Sequence, residues 1–118
     1  MSTLLILNRT PYDSTDVTWN ALRLAGRLLD AGEEVRVFLM NEAIDLARDA
    51  CEAPEDYDQD LTKMLKYLIA RGVVLKACSS CMARGGVHKN EPYFDDDLSA
   101  TMPELDEWVL SSDKVLTF

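Results

Sequence analysis

No apolar run in this chain of 118 residues approaches the ~18 residues of a membrane-spanning helix, so no membrane partner is expected. A basic leader with a small-residue cleavage site is also missing: Met1-Ser2-Thr3 runs straight into Leu4-Leu5-Ile6-Leu7. That start predicts no signal peptide and a cytoplasmic home. Glycine is scarce, with five residues, and nowhere gathers into a phosphate-cradling loop. Histidine occurs once, at position 88. A structural zinc site wants four ligands, and here a single Cys-x-x-Cys pair would have to recruit Cys51 and His88, so no metal is expected. No Ser-His-Asp candidates and no paired carboxylates on a clear helix face are visible. Basic residues are few, 12 against 21 acidic ones, for a net charge of −9. The chain as a whole repels nucleic acid and anionic lipid, and direct nucleic-acid binding is not expected. Its length suffices to bury roughly two-thirds of the unfolded surface, so a fold without a disulfide or metal staple is expected.

The charge is unevenly spread. Residues 61–90 hold six basic side chains (Lys63, Lys66, Arg71, Lys76, Arg84 and Lys89), the single histidine and no acid. Two acidic blocks, residues 49–60 and 91–106, bracket this stretch and read as solvated loops and helix faces. The basic third also contains two of the three cysteines, Cys78 and Cys81, spaced as Cys-Ser-Ser-Cys. In a cytosolic chain that spacing points to redox, metal or sulfur chemistry rather than a disulfide framework.

Apolar strands alternate with amphipathic helices along the chain. Residues 4–7 read as a buried strand, and a polar loop follows. Asp13 or Ser14 is expected to cap a helix to about Ala31, stopped by Gly32. Its core stripe is expected at Val17, Ala21, Leu24, Ala25 and Leu28, with Trp19, Leu22 and Leu29 on a second apolar side. A second strand over residues 35–40 leads to a short helix capped by Asn41. Residues 51–59 read as a loop. Leu61, Met64, Leu65, Leu68 and Ile69 mark another helix, closed by Gly72. A third strand begins at Val73 and ends at Cys78. A short helix is expected to stop at Gly85-Gly86, then irregular chain with one small strand near Val87. Thr101-Met102-Pro103-Glu104 is a capping box that starts the last helix. A final strand spans residues 114–118. This alternation predicts one α/β domain over residues 1–118, with helices on a mostly parallel sheet.

In such sheets functional groups gather at the carboxyl ends of strands, where helix N-termini also point. Cys78 is expected at such an end, just before a helix. An ordinary cysteine has a pKa of about 8.5, and a helix N-terminus with nearby cations lowers it. Lys76, Arg84 and His88 are the candidates to hold a thiolate or an anion there. Cys81, three residues on, can face Cys78 and resolve a persulfide or mixed disulfide, or can pack as a small apolar residue. Cys51 reads as structural, with the option of meeting the pair at the sheet edge. Residues 8–15 offer the hydroxyls of Thr10, Ser14 and Thr15 at a helix start. The loop lacks glycine and contains Pro11, so it reads as a cap, and neither a flavin nor any other cofactor is expected.

Four stretches carry a resemblance. They are Ala77-Cys78-Ser79-Ser80-Cys81-Met82-Ala83-Arg84-Gly85-Gly86-Val87, Phe38-Leu39-Met40-Asn41-Glu42-Ala43-Ile44, Arg71-Gly72-Val73, and Trp108-Val109-Leu110-Ser111-Ser112-Asp113-Lys114-Val115-Leu116-Thr117-Phe118. In this order and spacing the chain resembles the DsrE/DsrF-like family, which includes YchN-like and TusD-like proteins. The resemblance implies a three-layer α/β/α domain of flavodoxin-like topology, with four to five mostly parallel strands. It also implies assembly as a homotrimer or homohexamer. The cysteine matched by Cys78 would accept sulfane sulfur as a persulfide from a donor and pass it to an acceptor protein. The expected function is therefore a sulfur carrier or sulfurtransferase. Two alternatives remain open: an oligomeric module that binds a small ligand or a protein, with packed cysteines, and a dithiol redox protein using Cys78 and Cys81.

Overall fold

Six consecutive buried residues, Ser2–Leu7, form β1. Its flanks are β2 (Glu34–Leu39) and the edge strand β5 (Lys114–Thr117), and all three run parallel. In the computed structural model, residues 1–89 and 92–118 are described, apart from the side chains of residues 86–89 and 96. Beyond β2 the sheet continues through β3 (Val74–Cys78) to a two-residue strand, β4 (Ser99–Ala100), in the order β4-β3-β2-β1-β5. The chain thus steps steadily from β1 to β4 and then returns past β1 to add β5. Right-handed crossovers place helices met on the outward steps on one face, and the helix of the return on the other.

The outward helices are α1 (Val17–Asp30), α2 (Leu61–Ala70) and α3 (Ser79–Lys89). Between β2 and α2 lies a 3-10 helix, Asn41–Ala47. The return helix is α4 (Met102–Ser111). Strand alternation sorts the core into two layers. Leu5, Leu7, Val37, Leu39, Leu75 and Ala77 face the outward helices and pack with Ala21, Leu22, Ala25, Leu65 and Leu68. Leu4, Ile6, Phe38, Cys78 and Ala100 face α4 and meet Leu105 and the partly buried Trp108. A leucine so enclosed contributes about 1.5–3 kcal/mol through burial. The second layer is thin, since among the described residues α4 alone covers it. Val74, Met102 and Leu110 remain 52%, 59% and 78% exposed around it.

Several local expectations shift. Asp13 does not cap α1; its carboxylate accepts from the amide and hydroxyl of Thr15 in a turn of its own, and the helix begins two residues later. The buried face of α1 is Thr18, Ala21, Leu22 and Ala25, while Val17 and Leu24 are only half-buried. Leu22 and Trp19 therefore pack on the core, and no second apolar side is needed to explain them. Asn41 opens the 3-10 helix with φ +51° instead of capping an α-helix. The helix after β3 runs through Gly85-Gly86 to Lys89, so Val87 is helical and the small strand is Ser99–Ala100. The capping box at Thr101 and Glu104 forms as expected.

The start of β1 is tied to the end of the chain by carboxylates. Asp113 accepts the Ser2 amide at 2.7 Å, and Glu33 accepts the Thr3 hydroxyl at 2.8 Å and the Lys114 ammonium at 2.9 Å. These bonds hold both carboxyls below the usual range, the Lys114 bond foremost for Glu33 and the Ser2 amide foremost for Asp113. A depressed carboxyl contributes its stability above the unfolded pKa of about 4, and loses it as pH falls through the lower folded value. The melting temperature is therefore expected to drop on acidification through that window. The double variant Glu33→Gln/Asp113→Asn should flatten this acid limb in thermal melts. An equally steep limb in the variant would show that other groups carry the acid response.

Candidate thiol site

The carboxyl ends of β1, β2 and β3 lie side by side, which gathers Asn8, Asn41 and Cys78 from distant parts of the sequence. The Met40 amide donates to the Leu7 carbonyl at 2.9 Å, and the Asn41 side chain donates to the Asn8 side-chain oxygen at 3.0 Å. Asn41 adopts a left-handed backbone, which asparagine tolerates better than most residues. Its own amide is thereby turned toward α3 and donates to Cys81 Sγ at 3.3 Å.

Cys78 is the last residue of β3 and immediately precedes α3, the position of a helix cap. Its sulfur lies 3.2 Å from the Ser80 hydroxyl. The amides of Ser80 and Cys81, at the open start of the helix, also point to it, and the Cys81 thiol donates to it. Burial pushes the Cys78 thiol up, but these four donations together outweigh burial and bring it below its ordinary value. Cys81 moves the other way. Burial raises it most, and its role as donor to Cys78 raises it further, against the Asn41 amide. The two shifts thus run in opposite directions and favour thiolate character on Cys78 over Cys81.

The two thiols differ in access. Cys78 is 6% exposed and sits among Phe38, Ala100 and Leu105 on the α4 side of the sheet. Cys81 packs at the seam of both core layers and borders a cleft of about 220 Å³. One wall of this cleft is the 3-10 helix with Glu42, Ile44 and Asp45. The other is α3 with Cys81, Arg84 and Gly85. The walls converge at Gly85, where an added Cβ would lie 2.9 Å from Ile44 Cδ1 and 2.8 Å from Arg48 Nη2. This close approach explains a glycine inside the helix. Arg48 itself is 2% exposed, ion-paired to Asp45 at 2.7 Å and stacked 4.5 Å over the Tyr93 ring.

Among the expected site residues, Cys78 and Cys81 come together and Arg84 lines the adjoining cleft. Lys76 shares the Cys78 face of β3, and its ammonium lies 5.4 Å over the Trp108 ring. His88 falls in the last turn of α3, with its side chain outside the described residues. Cys51 lines a separate cavity with Thr10, Tyr12 and Arg48, on the far side of Asp45. Ser80 and Asn41 escaped the sequence reading. Ser80 could have been found as a hydroxyl two residues beyond a capping thiol. The Asn41 contact depends on its positive φ, which leaves no pattern. Among the described residues no group of three or more potential metal ligands occurs. No helix among them is long and apolar enough to cross a membrane.

Comparison with known proteins agrees with this frame. The profile of the DsrE/DsrF-like family matches residues 1–118. Protein YchN of Escherichia coli strain K12 is 34% identical over 117 residues, which span 98% of this chain and 97% of that protein. Uncharacterized proteins of Methanopyrus kandleri and Methanocaldococcus jannaschii are 31% and 32% identical. They cover 97% and 100% of this chain, and 91% and 100% of their own lengths. The crystal structure of the E. coli YchN protein superposes with a TM-score of 0.79 over the whole of both chains. A conserved protein of unknown function from Bacteroides thetaiotaomicron, 17% identical, shares the fold alone, with a TM-score of 0.66 over 98% of this chain and 94% of its own. The profile match over the full length, with the relatives above 30% identity, places this chain in the DsrE/DsrF-like family.

Proposed function

We propose that the protein is a sulfur carrier that accepts sulfane sulfur as a persulfide on Cys78 and passes it to an acceptor. The observation that carries this reading is the capping position of Cys78. A sulfur at the start of α3, 3.2 Å from the Ser80 hydroxyl and beside the open amides of the helix, is placed where a thiolate nucleophile is favoured. The same donors suit the persulfide anion, which is also a soft acceptor. Membership of the DsrE/DsrF-like family, commonly linked to sulfur relay, supports the assignment. Cys81 then serves as the proton-bearing partner, and Arg84 as a cation at the mouth of the site. Exposed apolar groups on α4 and β5, including Met102, Leu110 and Val115, support self-association, for which the family resemblance implies a homotrimer or homohexamer.

A second reading, a dithiol redox protein, draws on one observation, the packing of Cys81 against the cluster that holds Cys78. Intact-mass spectrometry after incubation with a sulfane-sulfur donor separates the two. The carrier reading expects a gain of one sulfur that a reductant reverses and that Cys78→Ser abolishes. Loading at the wild-type level in Cys78→Ser would overturn it. Loss of two hydrogens without any sulfur gain would favour the dithiol.

A further inference from the structure

The cleft beside the thiols carries opposite charges on its two walls. Glu42 on the 3-10 helix and Arg84 on α3 both border it and both are exposed. Among the described residues neither holds an ion-pair partner. The third charged group there, Asp45, is already engaged by Arg48 at 2.7 Å. Among the described residues the cleft thus offers one open cation and one open anion, over an apolar floor supplied by the buried Ile44. Arg84 follows Cys81 by three positions, so both project from one face of α3, roughly 4.5 Å apart along the axis. The carboxylate carbon of an α-amino thiol lies three bonds from its sulfur, a comparable reach.

We propose that this cleft binds a small zwitterionic persulfide of the cysteine persulfide class, with its α-carboxylate on Arg84, its α-ammonium on Glu42 and its sulfur end at Cys81, the member of the thiol pair that borders the cleft. The inference rests on the sulfur-carrier reading and names its donor. An inorganic polysulfide, purely anionic, would leave Glu42 unanswered and meet repulsion from it. A cleft of about 220 Å³ also suits a single amino acid better than a folded donor. Transfer is a displacement at the outer sulfur. A thiolate of the pair attacks it, the new protein S–S bond forms as the donor S–S bond breaks, and the donor leaves as cysteine thiolate. That thiolate takes up the proton held by the other cysteine, so atoms and charge balance without an oxidant or reductant.

The test compares loading rates from three probes: cysteine persulfide, N-acetylcysteine persulfide, which lacks the ammonium, and cysteine methyl ester persulfide, which lacks the carboxylate. The wild type is expected to prefer cysteine persulfide by about tenfold over each, the scale of one charge-assisted hydrogen bond. Glu42→Gln should erase the preference over the N-acetyl donor and keep that over the ester. Arg84→Gln should do the reverse. Equal rates from all three donors in the wild type, or preferences that survive both substitutions, would overturn the assignment of the cleft while leaving the carrier reading intact. Failure of every donor to load the wild type would overturn both.

Discussion

Replacing Arg48 by alanine is expected to lower the unfolding free energy by about 3–5 kcal/mol, the range for breaking a buried ion pair from one side. The guanidinium is 2% exposed and bonds to Asp45, whose side chain is only 13% exposed. The guanidinium carbon lies 4.5 Å from the centre of the Tyr93 ring. Arg48 also pairs as a β-bridge with Tyr93, next to amide bonds from Asp49 to Pro92 and from Phe94 to Ala47. It therefore joins the end of the 3-10 helix, the segment that leads into β4, and α3 at Gly85. Alanine would leave the Asp45 carboxylate poorly solvated and empty the space under Gly85, and the wall of α3 that carries Cys81 would lose its seat. Denaturant titration measures the loss. A change below about 1 kcal/mol, the range of an exposed pair, would mean that Asp45 rehydrates freely and that Arg48 anchors nothing. Asp45→Ala strands the opposite charge and should cost a similar amount, while the double variant should cost less than the two losses combined.

Arg48 also marks the limit of what the sequence discloses. It stands between acidic residues, and a lone cation there reads as part of a solvated face. Only the meeting of three segments buries it. The strands over residues 2–7 and 34–39 were legible as short apolar runs, the helix over 61–70 by the helical spacing of its apolar side chains, and the helix over 102–111 by its capping box. Cys78 was legible as well, since a strand end followed by a helix start puts a thiol where amides are open. Gly85-Gly86 misled, because glycine usually stops a helix, whereas Gly85 is present so that Ile44 and Arg48 can come close. With two residues, β4 is too short to show alternation. The basic stretch 61–90 suggested a cationic pocket, yet strand and helix geometry scatter it: Lys66 lies over Phe94, Arg71 pairs with Asp30 and Lys76 rests over Trp108. The thiolate character of Cys78 comes from amides, a hydroxyl and a thiol instead, and only the fold aligns these donors.

Phe38→Ala is expected to cost about 3–5 kcal/mol and to expose Cys78. Phe38 is 1% exposed at the centre of the thinner core layer, level with Ile6 on β1 and Lys76 on β3. Its ring meets Trp108 edge to face, with centroids 6.1 Å apart, and so joins α4 to the sheet. Because α4 is the sole helix on this side among the described residues, few neighbours can move in to fill the space, and most of the cavity should persist. Cys78 belongs to the same cluster. Opening that cluster should raise the alkylation rate of Cys78 by a small neutral reagent under native conditions, followed residue by residue in peptide masses. Phe38→Leu, which retains much of the volume, should fall between the variant and the wild type in both measurements. Unchanged alkylation in a variant that is destabilised but still folded would show that reagents reach Cys78 past Cys81 from the cleft, and that the α4 layer holds the fold without guarding the thiol.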